Sequence, residues 1–182
     1  MNGAHPLIGL SGFKRSGKDT AARELSSRQG YTRVAFADAL RDEVFDRFGI
    51  RLGDDDKDKP LPAYGLRSYR DLLIEHAQER RAQNPDYWVE RVDVQVRAYL
   101  SLGIRVIVTD VRLPNEVAWL RRMSGLHIWV ARLGVTSNGH ATEQDHSGIA
   151  DLVIVNDADP DRLGELIAYA ATHRPQPCLQ SA

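Results

Sequence analysis

A short loop rich in glycine and cations, enclosed between a strand pattern and a helix pattern, constrains the fold of this chain most strongly. Residues 6–12 form a short apolar run that ends in glycine, which is typical of a buried strand. Residues 18–29 carry small or apolar side chains on one face, and Gly30 follows as a stop signal. The sequence therefore predicts a strand, a glycine loop and a helix in immediate succession.

The rest of the chain alternates the same two patterns. Further strands are predicted over 31–37, 106–109, 126–133 and 151–157. Helices are predicted over 38–48 with Asp38 as the N-cap, 68–81, 85–102, 114–123 and 160–171. Five apolar strands interleaved with helices indicate an α/β fold with a parallel sheet covered on both faces. Ligands of such sheets bind beyond the carboxyl ends of the strands, where this sequence places Gly12, Asp38, Asp110, Arg112, Arg132 and Asn156.

Length and composition exclude several classes of protein. The chain has 182 residues, enough for one domain with a substantial core, and a formal net charge of -1, so no global positive field attracts it to DNA or a membrane surface. No apolar run is long enough to span a bilayer, and no signal peptide is evident. The single cysteine, Cys178, excludes an internal disulfide and fits a reducing, cytoplasmic environment.

The loop 12–18 has the spacing G-x-x-x-x-G-K. In a loop between a strand and a helix, this spacing indicates a phosphate-binding site, because glycines let successive N–H groups point at an anion. The residues predicted to bind the nucleotide phosphates are Gly12, Phe13, Lys14, Arg15, Ser16, Gly17, Lys18, Asp19 and Thr20. Lys14 and Arg15 suit the same anion, and as an alternative they are solvent-facing loop cations.

Asp19 stands where the common form of this motif has a hydroxyl residue, and the hydroxyl follows one position later at Thr20. The order G-K-D-T is similar to the G-K-G-T of adenylate kinase-type enzymes. Thr20 is therefore the predicted magnesium ligand of the loop. Asp19 is interpreted either as the holder of a metal-bound water or as a favourable acid in the first helical turn.

A second cluster follows the strand 106–109. Asp110 stands where a Walker-B acid would, and it is predicted to contact Mg²⁺ or substrate, with an N-cap or a pairing with Arg112 as the alternative. Arg112 presents a planar, permanently charged group that suits a monophosphate. Asn115 and Glu116 lie at the start of the next helix, and the sequence is compatible with either substrate contact or helix capping as their role.

Candidates for the acceptor site come from the predicted helices of residues 38–102. Asp38 and Arg41 follow the second strand and either border the acceptor or belong to a capped surface helix. The segment 69–92 mixes aromatic residues with arginines, a combination that suits a base and its phosphate. Arg70 and Trp88 are its predicted substrate contacts, with a core position as the alternative for Trp88.

Two polar loops invite a metal interpretation that their spacing does not favour. The acidic run at 54–58 is typical of a solvated loop. His140, Glu143 and His146 follow Arg132, a further predicted nucleotide contact, but they lack the regular spacing of a metal motif. Residues 134–148 are instead predicted to form a lid-like loop that excludes water from the γ-phosphate.

The ordered motifs GFKRSGKDTAA, FADALRDEVFDRFGI, YRDLLIEHAQERRAQNPDYWVERV, VIVTDVRLPNE, HIWVARLGV, HATE and DLVIVND resemble the phage-type deoxynucleoside monophosphate kinases. The resemblance covers most of the chain. It implies a three-layer P-loop kinase fold with a central five-stranded parallel sheet, formed by a single domain over 1–172. It also implies a helical substrate-binding insertion at about 50–102. The Pro-rich residues 173–182 are predicted to form a flexible tail.

The resemblance further implies ATP as donor, Mg²⁺, a deoxynucleoside 5′-monophosphate as acceptor, a cytoplasmic location (that of the host if phage-encoded) and a homodimer. It places Lys18 and Thr20 at the donor phosphates, Arg112 and Arg70 on the acceptor side, and Asp110 in a metal-bound or hydroxyl-contacting role. The predicted catalytic residues are Lys18, Asp110 and Arg112, and the predicted metal ligands are Thr20 and Asp110. The sequence departs from the family at Leu113, where an aromatic residue is usual, and at Ala77-Gln78, where the family has Gly-Thr. It therefore predicts no particular base.

Three alternatives keep the loop but change its use. A P-loop kinase that acts on a hydroxymethyl-pyrimidine in DNA is one, although the near-neutral charge offers DNA no electrostatic attraction. Another small-molecule kinase, such as a dephospho-coenzyme A kinase, is the second. A regulator that binds a nucleotide without transferring phosphate is the third, and the absence of an N-K-x-D motif disfavours its GTPase form.

Overall fold

Strands and helices alternate along the residues that the structure, a computed structural model, describes: 4–53, 55–137, 144–157 and 159–173. The strands are β1 (Leu7–Ser11), β2 (Thr32–Val34), β3 (Val106–Val108), β4 (Leu126–Arg132) and β5 (Leu152–Asn156). The helices are α1 (Lys18–Gln29), α2 (Phe36–Phe48), α3 (Tyr69–Gln83), α4 (Tyr87–Ser101), α5 (Pro114–Arg122) and α6 (Pro160–Thr172). Within the described ranges, no helix combines the length and apolar composition that crossing a bilayer requires.

The chain divides into two compact units. The sheet unit comprises the described residues of 1–34 and 96–182, and the helical unit comprises those of 35–95. The helical unit therefore starts before the predicted insertion, because α2 packs with α3. Val44 of α2 shares a buried cluster with Tyr69 and Leu72 of α3.

The five strands of the sheet unit form one parallel sheet in the order β2-β3-β1-β4-β5. This confirms the predicted parallel sheet. β1 lies at the centre, and its two neighbours, β3 and β4, come from distant parts of the sequence. The order reverses around β1, and in open parallel sheets such a reversal is where ligands bind.

Helices cover both faces of this sheet. Ile8 and Leu10 of β1 pack into a buried cluster with Leu25 of α1 and Ile167 of α6. Gly9 points to the opposite face, because side chains alternate along a strand. A Cβ atom at Gly9 would lie 2.3 Å from the Leu120 Cδ2 atom of α5. The absence of a side chain at Gly9 thus lets α5 approach the sheet closely.

Element boundaries agree with the sequence prediction at α1 and differ around the second strand. The predicted strand 31–37 contains only the three residues of β2, because α2 already begins at Phe36. The prediction of Asp38 as the N-cap of α2 was wrong. Ala35 is the extended residue that precedes the helix, and Asp38 lies in the first turn. A carboxylate there still favours the helix through the dipole.

The start of α3 was predicted within one residue. Ser68 is its N-cap, and the Ser68 side chain accepts a hydrogen bond from the Asp71 backbone N–H. The Asp71 carboxylate in turn accepts the Ser68 N–H at 2.8 Å. This reciprocal pair is a capping box, and it holds the pKa of Asp71 below its usual value.

Candidate active site

The loop between β1 and α1 has a main-chain path that requires its two glycines. Gly12 has φ 142° and Gly17 has φ 109°, both in a region that side-chain-bearing residues rarely adopt. A Cβ atom at Gly12 would lie 2.3 Å from the Val130 carbonyl oxygen of β4. A Cβ at Gly17 would lie 2.4 Å from the Asn156 Nδ2 atom. Both glycines of the motif are therefore required for steric reasons, Gly12 by β4 and Gly17 by Asn156.

Asn156, the last residue of β5, supports the loop from behind. Its side-chain amide donates a hydrogen bond to the Ser16 carbonyl oxygen at 2.8 Å, although the two residues are 140 positions apart. Within the loop the Ser16 N–H donates to the Phe13 carbonyl oxygen at 3.1 Å. The sequence placed Asn156 at this edge of the sheet and gave it no role. The structure shows it as a structural support of the loop.

Lys18 lies across the loop and is fixed by it. Its ammonium donates hydrogen bonds to the carbonyl oxygens of Gly12 at 2.7 Å and Phe13 at 2.8 Å. The N-cap of α1 is Gly17, so no side chain caps the first turn. The start of α1 thus presents N–H groups, a helix dipole and the Lys18 ammonium, a combination that suits polyphosphate.

The other loop residues divide into exposed and anchored side chains. Lys14, Arg15 and Asp19 are exposed and Thr20 is half-buried. Phe13 packs edge-to-face on the buried Trp129 of β4, with ring centroids 5.2 Å apart. The Phe13 side chain therefore holds the loop on the sheet.

Ser16 has a side chain that faces the interior of the loop. The residue is 1% exposed, and its Oγ atom has no hydrogen-bond partner among the described residues. Its hydroxyl lies 2.7 Å from the position of a Cβ at Gly12. Because a buried hydroxyl normally finds a partner, this atom is a ready contact for an anion.

A buried histidine lies behind the loop, at the end of β1. The Ser11 hydroxyl donates to the Val111 carbonyl oxygen at 2.9 Å, and its oxygen lies 2.7 Å from His127 Nε2. Since the hydroxyl has one proton, His127 Nε2–H is the donor of the second bond. Burial lowers the pKa of His127 to about 4, although the nearby Asp151 carboxylate opposes this effect. His127 is therefore a neutral structural residue at pH 7.

Asp110 and Arg112 follow β3 at the same edge of the sheet. Asp110 is half-buried and Arg112 is exposed. The Glu116 carboxylate accepts the Arg112 N–H at 2.6 Å and the Leu113 N–H at 3.0 Å. Glu116 is 3% exposed, so its observed role is the cap of α5, the alternative that the sequence left open. Asn115, beside it, is half-buried.

The donor set of this edge fits a magnesium ion. Thr20 offers a hydroxyl oxygen and Asp110 a carboxylate, the hard ligands that Mg²⁺ prefers. No group of three or more His, Cys, Asp or Glu that could hold a metal occurs within the described ranges. Mg²⁺ commonly takes one or two protein ligands and completes its shell with waters and phosphate oxygens.

In the helical unit the predicted substrate residues have contacts of their own. Arg41 pairs with Asp38 at 3.2 Å, one helical turn apart. Arg70 forms a two-pronged pair with Asp58, with 3.0 Å between the Arg70 Nη2 and Asp58 Oδ2 atoms. Asp58 belongs to the acidic run 54–58 and is exposed. This pair accounts for one acid of that run.

The prediction of Trp88 as a base contact is not supported by the structure. Trp88 is 3% exposed, and its indole N–H points at the Ala77 carbonyl oxygen at 3.4 Å. The Tyr87 ring packs against it edge-on, with centroids 5.0 Å apart. Trp88 is therefore a core residue of the helical unit, which was the alternative interpretation.

Sequence reasoning missed Glu43, the centre of a polar network in the helical unit. Its carboxylate accepts hydrogen bonds from the Tyr87 hydroxyl at 2.5 Å and the Arg80 guanidinium at 3.0 Å. His76 lies at 3.1 Å and Arg91 at 3.5 Å. Burial alone would raise the pKa of Glu43, but the hydrogen bonds from Tyr87, His76 and Arg80 outweigh it and hold the pKa below its usual value. Nothing in the local pattern distinguishes Glu43 from the other acids of α2.

This network borders a cavity of about 430 Å³ within the helical unit, lined by Glu43, Asp46, Arg47, His76, Glu79 and Arg80. Its walls carry three acids, two arginines and a histidine. Arg47 pairs with Glu79 and Arg80 pairs with Glu43, so acids of the same lining already neutralise both arginines.

The remaining predicted residues are placed as follows. Arg132 is exposed at the end of β4, opposite Asn156 in the strand register. His146 is buried. His140 and Glu143, and with them the middle of the predicted lid-like loop, lie outside the described residues. Cys178 and nearly all of the predicted tail also lie outside them.

Several of the known proteins that this chain resembles are named kinases. No family model matches the chain. A protein of Acanthamoeba polyphaga mimivirus named "Putative deoxynucleotide monophosphate kinase" is 27% identical over 172 residues, which cover 82% of this chain and 88% of that protein.

Solved structures with the same fold include several kinases. Dephospho-CoA kinase from Campylobacter jejuni matches with a TM-score of 0.54 at 11% identity, over 90% of this chain and 94% of that chain. TT1252 from Thermus thermophilus gives the same TM-score and coverage at 18% identity. A sugar kinase from Janibacter sp. HTCC2649 gives 0.50 at 17% identity, over 90% and 92% of the two chains. The fold is that of the P-loop kinases, as the sequence predicted, and the likenesses support a phosphotransferase function.

Proposed function

We propose that this protein transfers the γ-phosphate of ATP to the 5′-phosphate of a deoxynucleoside monophosphate. The observation that carries the proposal is the loop 12–18, which has two obligatory glycines, leads directly into α1 and holds the Lys18 ammonium on its own carbonyl oxygens. The name of the mimivirus relative supports a deoxynucleotide as the acceptor class.

In this proposal the loop binds the donor triphosphate. Backbone N–H groups of the loop and of the first turn of α1 contact the phosphate oxygens. Lys18 exchanges its two loop carbonyls for the β- and γ-phosphates and neutralises the charge that shifts during transfer. Lys14 and Arg15 are exposed beside the same anion.

Arg112 is the proposed contact for the acceptor phosphate, since a guanidinium matches phosphate oxygens in two-pronged geometry. Asp38, Arg41 and Arg70 remain candidates for the rest of the acceptor. Thr20 and Asp110 would hold Mg²⁺, which supplies charge neutralisation at the donor phosphates when it is bound.

The reaction needs positioning more than acid–base chemistry. An oxygen of the acceptor 5′-phosphate attacks the γ-phosphorus of ATP, and the bond from that phosphorus to the β–γ bridging oxygen breaks. A new P–O bond forms, ADP leaves with the electron pair, and the acceptor becomes a diphosphate. The attacking oxygen is already anionic, so no strong general base is required.

The test of the donor site is Lys18→Ala in an assay of acceptor-dependent ADP release. We expect turnover to fall by at least ~100-fold, because one preorganised positive group on the transferring phosphate is lost. Arg23→Ala is the matched control, since Arg23 is an exposed cation of the same helix, and its turnover should match the wild type. Near-wild-type turnover of Lys18→Ala would refute the proposal.

The acceptor is tested by offering each common dNMP, modified pyrimidine dNMPs, dephospho-coenzyme A and hydroxymethylated duplex DNA with labelled ATP. A labelled deoxynucleoside diphosphate is the expected product. Label found only on the duplex or only on the coenzyme A precursor would replace the acceptor while retaining the kinase. ATP consumption without any acceptor would contradict a transferase.

A further inference from the structure

The main chain of Arg112 is held on both sides by two buried side chains. Glu116 accepts the Arg112 N–H at 2.6 Å and the Leu113 N–H at 3.0 Å. The imidazole Nε2 atom of His146 lies 2.7 Å from the Arg112 carbonyl oxygen. Glu116 is 3% exposed and His146 is 4% exposed, whereas Arg112 itself is exposed. The arginine therefore stands at the surface on a backbone that the interior fixes.

These three hydrogen bonds define both backbone torsions of Arg112. The Arg112 N–H belongs to the peptide plane before its Cα atom, and the Arg112 carbonyl and the Leu113 N–H belong to the plane after it. Glu116 holds the plane before the Cα atom through the Arg112 N–H and the plane after it through the Leu113 N–H. His146 holds the plane after the Cα atom through the Arg112 carbonyl oxygen. Because φ and ψ are the rotations of these two planes about the Cα atom, both are restrained.

The two restraints have different origins in the chain. Glu116 lies in the first turn of α5, so its bonds are a local cap. His146 lies 34 residues beyond Arg112 and precedes the short helical turn Ser147–Ile149. Its ring packs edge-on near Trp129, with centroids 6.4 Å apart. Since a carbonyl only accepts hydrogen bonds, His146 Nε2 carries a proton in this contact.

We propose that His146, together with Glu116, is a positioning residue that fixes the backbone of Arg112 so that its guanidinium is presented to a phosphate. This inference rests on the proposed function, in which Arg112 binds the acceptor phosphate. An arginine side chain loses rotamer entropy when it is fully ordered. A fixed backbone removes the additional freedom of the base of that side chain, so a phosphate contact needs less ordering.

The test pairs a variant that removes the donor with one that retains it. His146→Leu keeps an apolar group of similar bulk without a proton to donate, and His146→Gln returns an N–H donor through its side-chain amide. We expect His146→Leu to raise the KM of the dNMP by about 10-fold, the typical effect of one lost hydrogen bond, with the KM of ATP within about 2-fold. His146→Gln should restore most of the loss.

A double-mutant cycle separates positioning from a general structural effect. If His146 acts through Arg112, adding His146→Leu to Arg112→Ala should change the dNMP KM by less than about 2-fold. Ser147→Ala is the matched control, because it removes only the side-chain bond from Ser147 to Asp145 and keeps the backbone N–H that Asp145 accepts at 2.8 Å. Additive effects in the cycle, or an equal rise in both KM values, would overturn the inference.

A measurement that does not depend on enzyme activity tests this inference separately from the proposed function. Amide hydrogen exchange at Arg112 and Leu113 should accelerate in His146→Leu and return towards the wild-type rate in His146→Gln. Unchanged exchange at both amides would refute the restraint even in an active kinase. If the wild type phosphorylates no dNMP but exchange changes as expected, the acceptor proposal fails and the backbone restraint stands.

Discussion

The two units of this protein organise their polar groups in different ways. At the edge of the sheet unit, the loop 12–18 is shaped mainly by main-chain geometry and by two glycines that avoid steric overlap. In the helical unit, side chains of α3 and α4 converge on one carboxylate of α2, that of Glu43. The loop consists of consecutive residues, whereas the Glu43 network forms only when the helices pack against each other. The comparison teaches that a polar cluster built from consecutive residues can be recognised in the sequence, whereas one assembled by packed helices cannot.

The largest expected effect tests the steric basis of the loop. Gly12→Ala places a methyl group 2.3 Å from a backbone carbonyl oxygen of β4 that cannot rotate away. We expect the free energy of unfolding to fall by about 3 kcal/mol or more, from the positive φ and the overlap together. Urea denaturation measures it.

Gly148→Ala is the control for that substitution, because a Cβ atom there meets nothing within 4 Å. Its effect should stay within about 0.5 kcal/mol. Equal losses at the two glycines would remove the distinction between a required glycine and a tolerated one.

The second effect distinguishes the units by their response to acid. Burial holds the pKa of His127 at about 4, against an ordinary value of 6.5. Between these two pH values His127 is protonated in the unfolded chain and neutral in the folded protein. The protonation of His127 therefore has no effect on the free energy of unfolding above pH 6.5, and it lowers that free energy as the pH falls towards 4. This difference in pKa corresponds to about 3 kcal/mol at pH 4.

His127→Gln should abolish that part of the pH dependence while retaining an amide donor for Ser11. The measurement is the free energy of unfolding at pH 7 and pH 4 for both proteins. His173→Gln, at an exposed position, is the control and should keep the wild-type slope. A wild-type slope in His127→Gln would show that another group causes the acid sensitivity.

The smallest expected effect concerns the helical unit. Glu43→Gln removes the charge that Tyr87, His76 and Arg80 hydrogen-bond, and we expect a loss of about 1–3 kcal/mol at pH 7. Because the pKa of Glu43 is lowered by folding, its contribution is present above the ordinary value of 4.5 and is lost as the pH falls through the folded value. The difference between wild type and Glu43→Gln should therefore shrink in acid below pH 4.5.

Glu79→Gln provides the matched comparison, since Glu79 lines the same cavity but is 47% exposed in its pair with Arg47. Its substitution should cost less than about 1 kcal/mol. Hydrogen exchange of the α3 amides locates the change in the helical unit. If Glu79→Gln destabilised the protein as much as Glu43→Gln, Glu43 would not be the centre of the network.

Much of the fold was predictable because its signals are local. The apolar runs, the helix stop at Gly30 and the start of α3 near Ser68 depend on neighbouring residues, and the structure confirms each of them. The prediction that α2 begins at Asp38 was wrong, and the cause is also local. Asp is favoured both as an N-cap and in the first turn, and only the extended backbone of Ala35 distinguishes the two.

The sequence by itself determined the strand, glycine loop and helix, because their constraints are steric and lie within a few residues. Only the tertiary structure decided which side chains support that loop and its neighbours. The contacts from Asn156 to Ser16, His127 to Ser11 and His146 to Arg112 span 140, 116 and 34 residues. Periodicity carries no information about such pairs, because the sheet order brings them together. For the same reason the burial of Trp88 became visible only after the helices had packed.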